Sequence, residues 1–139
     1  IYQFYQRRVF PHLLNQVMQT ASLMDKRREL LLPIEGEVLE IGFGTGLNFI
    51  YGNVDVLYAL EPNPDIYHLA VERVQHAPFH VRHVQAHAEK LPFADQSLDH
   101  VVSTWTLCSI ARLDQALAEI YRVLKPTGTL HLVEHVKHP

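Results

Sequence analysis

A short apolar segment that runs into a cluster of glycines constrains the fold of this chain more than any other feature. Residues 38–41 have the composition of a buried strand, and glycines follow at positions 42, 44 and 46. Glycine lets the backbone adopt unusual φ angles and approach a ligand closely. A loop between a strand and a helix lies at the carboxyl edge of a parallel sheet, where ligands bind. The segment therefore predicts either a ligand-binding loop or a tight turn without a ligand.

The glycine spacing differs from that of a dinucleotide-binding loop. That fingerprint reads G-x-G-x-x-G, and here Leu47 occupies the place of its third glycine. A nicotinamide-dependent oxidoreductase is therefore a disfavoured alternative.

Strands and helices alternate along the rest of the chain. Strands are predicted over residues 38–41, 54–60, 79–84, 98–104 and 129–133, helices over 47–51, 64–75 and 114–124, and a turn at 126–128. The last helix carries an apolar stripe made of Leu113, Ala116, Leu117, Ile120 and Leu124. This alternation predicts an α/β fold, in which a doubly wound parallel sheet is covered by helices on both faces.

An N-terminal helix pair is predicted ahead of the sheet, over residues 1–32. Apolar residues recur there at helical spacing, Ser22 can begin the second helix, and Pro33 ends it. A chain of 139 residues can build one core but not two. We therefore predict a single domain over residues 1–139.

Composition excludes several classes of partner. The net charge is −3 and no basic block stands out, which argues against a nucleic-acid partner. No apolar run approaches the ~20 residues of a membrane span. The single cysteine, Cys108, cannot form an internal disulfide, which fits a cytoplasmic protein.

Four of the ten histidines, at positions 76, 80, 83 and 87, have a spacing that would align them on a helix. Pro78 interrupts any such helix, and a strand over residues 79–84 would place them on different faces. We therefore assign no metal ligands.

Motifs in a fixed order along nearly the whole chain resemble those of class I S-adenosylmethionine-dependent methyltransferases. The resemblance is to the ubiquinone/menaquinone-biosynthesis type and to the thiol methyltransferase-like group. The matching segments are residues 38–46, 59–63, 88–93, 98–102, 119–126 and 134–136. The resemblance implies S-adenosylmethionine as cofactor and methyl transfer to a small-molecule acceptor, with a thiol as one candidate.

The resemblance also implies the residues that hold the cofactor. Gly42, Gly44 and Gly46 would bring backbone against its amino-acid end, and Glu40 would orient its ammonium. Glu61, at the end of the second strand, would accept hydrogen bonds from both ribose hydroxyls.

Four further positions follow from the same resemblance. Pro62 and Ala88 would flank the adenine with Glu89 nearby, and Thr104 would line the methionine side. The family usually has an acid before the Ala-Glu pair, whereas this chain has His87. Neutral imidazole accepts from an amine in only one tautomer, so the adenine contact is left open.

A catalytic base is needed only for some acceptors. A thiol with a pKa near ~8.5 is partly thiolate at neutral pH, whereas an oxygen or carbon acceptor needs a general base. His135, at the carboxyl end of the fifth strand, is the candidate, with a histidine that merely orders a loop as the alternative. A protein that binds the cofactor without catalysis is the second functional reading.

The family normally has seven strands, and this chain shows five, in the expected spatial order 3-2-1-4-5. The last two strands would then be missing, and the fifth would be an exposed edge that pairs with further residues or a second chain.

Overall fold

The computed structural model describes residues 21–46, 48 and 51–134. The first predicted N-terminal helix, most of the predicted helix over residues 47–51 and the candidate base His135 lie outside the described residues. The second N-terminal helix is confirmed as α1, Ala21–Leu31.

Five parallel strands form one sheet, and they confirm the predicted α/β fold. The strands are β1 (Glu35–Ile41), β2 (Asn53–Leu60), β3 (His80–Val84), β4 (Leu98–Thr104) and β5 (Leu124–Val133). Their spatial order is β3-β2-β1-β4-β5, as predicted. Among the described residues β5 pairs with β4 alone, so its other side is an edge within this part of the chain.

Helices lie on both faces of the sheet. The helices after β2 are α2 (Pro64–His68) and α3 (Val71–Gln75), and α4 (Leu113–Val123) precedes β5. Successive residues of β1 point to opposite faces, because a strand has a period of two. Val38 packs in a cluster with Leu31 of α1, and Leu39 packs in a second cluster with Ile120 of α4. The sheet is therefore doubly wound.

Helix α4 buries a different stripe from the predicted one. Ala116, Ile120 and Val123 are buried, whereas Leu113 and Leu117 are 41% and 40% exposed. The two stripes overlap on the helix, and the small side chain at position 116 lies on the face that meets the sheet.

Two predicted boundaries were wrong. The helix over residues 64–75 divides into α2 and α3, because the amides of Leu69 and Ala70 bond to carbonyls three residues back. The predicted turn at 126–128 is a bulge inside β5. The register with β4 moves there from Leu98–Leu124 to His100–Thr129, so β5 carries extra residues.

The loop between β3 and β4 is held to α4 by one arginine. The Arg122 guanidinium donates to the Leu91 carbonyl at 2.9 Å, to the Phe93 carbonyl at 2.7 Å and to the Asp95 carboxylate at 2.8 Å. It also pairs with Glu119, one turn earlier on α4. This cluster fixes the loop just after Ala88 and Glu89.

We expect Arg122→Ala to lower the free energy of unfolding by ~1–3 kcal/mol, since two backbone carbonyls lose a charged donor. Denaturant unfolding of the variant and the parent measures the change. Arg28→Ala, on the exposed side of α1, is the matched control and should leave stability within ~0.5 kcal/mol. Equal stability of Arg122→Ala and Arg28→Ala would contradict this role.

No helix in the described part of the chain is both long and apolar enough to cross a membrane.

Candidate functional site

The glycine loop begins where the carboxyl ends of β1 and β2 meet. The amides of Gly42 and Phe43 both donate to the Leu60 carbonyl at 3.1 Å, which ties the start of the loop to the end of β2. Gly42, Gly44 and Gly46 have φ angles of +71°, +59° and +74°. Residues with a side chain rarely adopt such positive φ angles, so this backbone requires glycine at these three positions.

The first and second glycines serve different purposes. A Cβ atom at Gly42 would lie 2.3 Å from the Thr106 side chain, so glycine there permits close packing against the segment after β4. Among the described residues other than its chain neighbours, only the Gly42 carbonyl lies within 4 Å of a Cβ atom at Gly44, at 3.8 Å. The chain therefore leaves open space over Gly44, which a turn without a ligand does not require.

Glu61 lies beside this space and contacts the loop directly. The side chain is buried, and its Oε2 accepts a hydrogen bond from the Gly44 amide at 3.0 Å. Its Oε1 accepts from the Asn63 amide at 3.0 Å. Burial raises the pKa of Glu61, and these two backbone bonds oppose the rise. Since a carboxylate has about four acceptor positions, Glu61 can accept further donors from a ligand.

An aromatic stack supports Glu61, and sequence reasoning missed it. The rings of Tyr67 and His83 lie parallel with centroids 3.7 Å apart, and Phe43 of the glycine loop lies against Tyr67. The His83 Nε2 atom bonds to the Glu61 carbonyl at 2.9 Å. The stack thus joins β3, α2 and the glycine loop around the end of β2.

Glu40 is buried within a polar group that links β1 to β4. The Asn48 amide nitrogen donates to Glu40 Oε1 and, at 3.1 Å, to the hydroxyl of Thr104. The second carboxyl oxygen, Oε2, has no hydrogen-bond partner among the described residues. The structure thus brings together two predicted site residues, Glu40 and Thr104, through Asn48, to which the sequence analysis assigned no role.

Burial raises the pKa of Glu40 to about 8. The hydrogen bond from Asn48 and the positive charge of Arg27 partly oppose this rise. Arg27 comes from α1 and is 3% exposed, and its guanidinium lies 5.0 Å from the centroid of the Trp105 ring. Trp105 itself has a φ angle of +53°, a strained conformation for a bulky residue. Helix α1 therefore places a positive charge between Glu40 and the end of β4.

The remaining predicted residues lie on the β2 and β3 side. Ala88 is buried and Pro62 is exposed. Glu89 is tied to the start of α4, since its carbonyl accepts from Gln115 at 3.1 Å and its carboxylate from the Arg112 amide at 3.4 Å. The side chain of His87 is exposed.

The methyltransferase domain family model matches residues 39–132 of this chain. Thiol S-methyltransferase TMT1B of Rattus norvegicus is 33% identical, over 94% of this chain and 59% of its own length. The ubiquinone/menaquinone biosynthesis C-methyltransferase UbiE of Haemophilus ducreyi is 32% identical, over 73% of this chain and 42% of its own. The chain thus spans about three fifths or less of the length of these relatives.

One solved structure covers almost the whole chain. A SAM-dependent methyltransferase from Thermotoga maritima superposes with a TM-score of 0.60 and is 27% identical, over 95% of this chain and 57% of its own. The likeness extends beyond the glycine loop to the complete sheet.

Proposed function

The chain belongs to the methyltransferase domain family, and we propose that it binds S-adenosylmethionine and transfers the methyl group to a small-molecule acceptor. The observation that carries the proposal is the open space over Gly44, which is flanked by the carboxylate of Glu61. A parallel sheet of this kind binds ligands at this carboxyl edge.

The residues present suit this cofactor. Gly42, Gly44 and Gly46 let the backbone approach its amino-acid end. Glu40 Oε2, which has no hydrogen-bond partner in the described part of the chain, can accept from the ammonium of the cofactor. Glu61 can accept from ribose hydroxyls while it keeps its bond to the loop. Asn48 joins Thr104 to Glu40, so Thr104 would line the methionine side.

The adenine end is proposed to lie toward the loop after β3. Pro62 and Ala88 would flank the ring and Glu89 would lie nearby. Gln115 and the Arg112 amide bind Glu89, and Arg122 binds the loop just after it, so the Ala88–Glu89 part of this loop has a fixed support.

The cofactor, when bound, supplies an activated methyl group on a sulfonium. What remains for the protein is to hold the acceptor in line with that carbon and to exclude water, which can supply much of the rate. We propose a thiol as the acceptor, because a thiolate needs no general base and the rat relative is a thiol S-methyltransferase. His135 would serve as base for an oxygen or carbon acceptor. The exposed free Cys108 fits a reducing, cytoplasmic setting.

An acceptor panel tests the reaction. The protein is incubated with S-adenosylmethionine carrying an isotopically labelled methyl group and with a thiol, a phenol or a quinol. We expect label to appear in the thiol product. Transfer to the quinol alone would assign the carbon chemistry named for the UbiE relative, and no transfer despite cofactor binding would favour a non-catalytic, cofactor-binding protein.

We expect Glu61→Ala to weaken S-adenosylmethionine binding by ~1–3 kcal/mol, since charge-assisted hydrogen bonds are lost. Calorimetric titration measures the affinity. Asp55→Ala, an exposed acid on β2, the strand that Glu61 follows, is the matched control and should bind as the parent does. Parent-like affinity in Glu61→Ala would show that the ribose is held elsewhere.

A further inference from the structure

Glu134 directly follows β5, and its carboxylate binds residues at and just after the end of β4. Its Oε1 atom accepts from the Ser103 hydroxyl at 3.1 Å, the Thr106 amide at 3.2 Å and the Leu107 amide at 3.1 Å. Together with the Val133 carbonyl, which accepts from the Trp105 amide at 2.6 Å, this carboxylate holds the segment that leaves β4.

The start of the helical turn in that segment has no side-chain cap of its own. Residues Leu107–Ser109 form a single turn of 3₁₀ helix, and the residue before it, Thr106, makes no side-chain cap bond to its amides. Uncapped amides at the start of a helix need acceptors from elsewhere. The adjoining Trp105 has the strained φ of +53°, and such a conformation persists only where the surroundings enforce it.

The anchored segment also touches the proposed cofactor site. The Thr106 side chain fills the space beside Gly42, so closely that a Cβ atom on this glycine would be 2.3 Å from it. The Thr106 hydroxyl donates to the carbonyl of Thr104 at 3.0 Å. Glu134 is thus connected, through Thr106, to the first glycine of the loop.

We propose that Glu134 is a positioning residue for methyl transfer: it binds the segment after β4 and thereby holds Thr106 against Gly42 at the cofactor site. The proposal rests on the proposed function only where cofactor binding and turnover are concerned, since the anchoring itself needs no ligand. It assigns no proton transfer to Glu134.

Two substitutions at Glu134 distinguish the loss of its hydrogen-bond acceptors from the loss of its negative charge. Glu134→Gln keeps a carbonyl oxygen that can accept from the three donors, whereas Glu134→Ala removes every acceptor. Asp99 provides the matched control, because it lies at the amino end of β4, on the opposite side of the sheet from the carboxyl ends of the strands. It likewise accepts a backbone amide from another strand, that of Glu37 at 2.8 Å, and it pairs with Lys125. Asp99→Ala therefore reports the effect of losing a comparable bond far from the site.

The first measurement is amide hydrogen exchange without cofactor. We expect Glu134→Ala to accelerate exchange in peptides covering residues 104–110 and 41–46, and Glu134→Gln and Asp99→Ala to leave both peptides near the parent rate. Unchanged exchange in Glu134→Ala would overturn the proposal.

The second measurement is calorimetric titration with S-adenosylmethionine, followed by turnover. We expect the Kd to rise about tenfold in Glu134→Ala, with kcat falling more than the acceptor KM changes, and to stay within about threefold in Glu134→Gln. Losses as large in Glu134→Gln as in Glu134→Ala would overturn the anchoring role, because charge would then be what matters. A parent that binds no S-adenosylmethionine would contradict the proposed function instead, and the exchange rates would still decide the role of Glu134.

Discussion

Replacing Gly44 with valine should abolish S-adenosylmethionine binding while the protein still folds. Among the described residues other than its chain neighbours, the nearest protein atom to a Cβ added at this glycine is the Gly42 carbonyl oxygen, 3.8 Å away. A valine Cβ would therefore meet the protein only at ordinary contact distance, and the side chain would fill the space assigned to the cofactor. Its β-branched side chain at a φ of +59° costs ~1–2 kcal/mol of stability, which a folded domain of this size can bear.

Substitutions at two glycines separate the loss of binding from the backbone strain. Gly44→Ala has a similar left-handed penalty with a smaller side chain, so its affinity should lie between those of the parent and Gly44→Val. Gly42→Ala should instead lower thermal stability, because its Cβ would lie 2.3 Å from Thr106. Circular dichroism establishes folding and calorimetry measures binding. A folded Gly44→Val variant with parental affinity would mean that the loop is only a turn.

Replacing Glu40 with glutamine should lower S-adenosylmethionine affinity about 100-fold, or ~3 kcal/mol, the upper range for a charge-assisted hydrogen bond. The same substitution should raise the free energy of unfolding at pH 7, because the parent must take up a proton at Glu40 on folding and the variant need not. Burial raises the pKa of Glu40 to about 8, so about nine-tenths of the free protein already has a neutral carboxyl there. Glu35→Gln, an exposed acid on β1, is the matched control for both measurements.

The raised pKa of Glu40 makes the free energy of unfolding fall as the pH rises. The folded state holds this proton up to a pH of about 8, whereas the unfolded state releases it near 4.5. The stabilisation is fully present below pH 4.5, declines as the pH rises, and is lost above about 8. Glu40→Gln should lack this decline. Between pH 5 and 9, the melting temperature of the variant should therefore rise relative to that of the parent. Parallel profiles would contradict the raised pKa.

Proton release gives a second test of the same carboxyl. Pairing with a ligand ammonium requires the carboxylate, so binding at pH 7 should release up to about 0.9 proton from the parent. Titrations in buffers of different ionisation enthalpy measure the release. The α-amino group of the ligand titrates in the same range, and Glu40→Gln in the same buffers isolates the contribution of Glu40.

The sheet and the glycine loop could be predicted because local patterns encode them. Buried parallel strands are continuous apolar runs, and the positive φ angles at positions 42, 44 and 46 require glycines that the sequence displays. Glu40 and Glu61 could be found for a related reason, since each occupies a fixed place relative to a strand end.

The contacts that complete the site could not be predicted in this way. Arg27 meets Trp105 across 78 positions of sequence, and Glu134 meets Ser103 across 31. No periodicity in the sequence predicts either contact, because each depends on how separate helices and strands pack together. The buried stripe of α4 was misassigned for a similar reason, since two overlapping stripes satisfy the helical period and only packing against the sheet selects one.

Calorimetric titration of the parent protein with S-adenosylmethionine, its demethylated product and NADH tests the central claim most directly. The loop geometry, the open space over Gly44 and the adjacent Glu61 predict that the first two bind at one site per chain and that NADH does not. Binding of NADH with no response to S-adenosylmethionine would contradict the account.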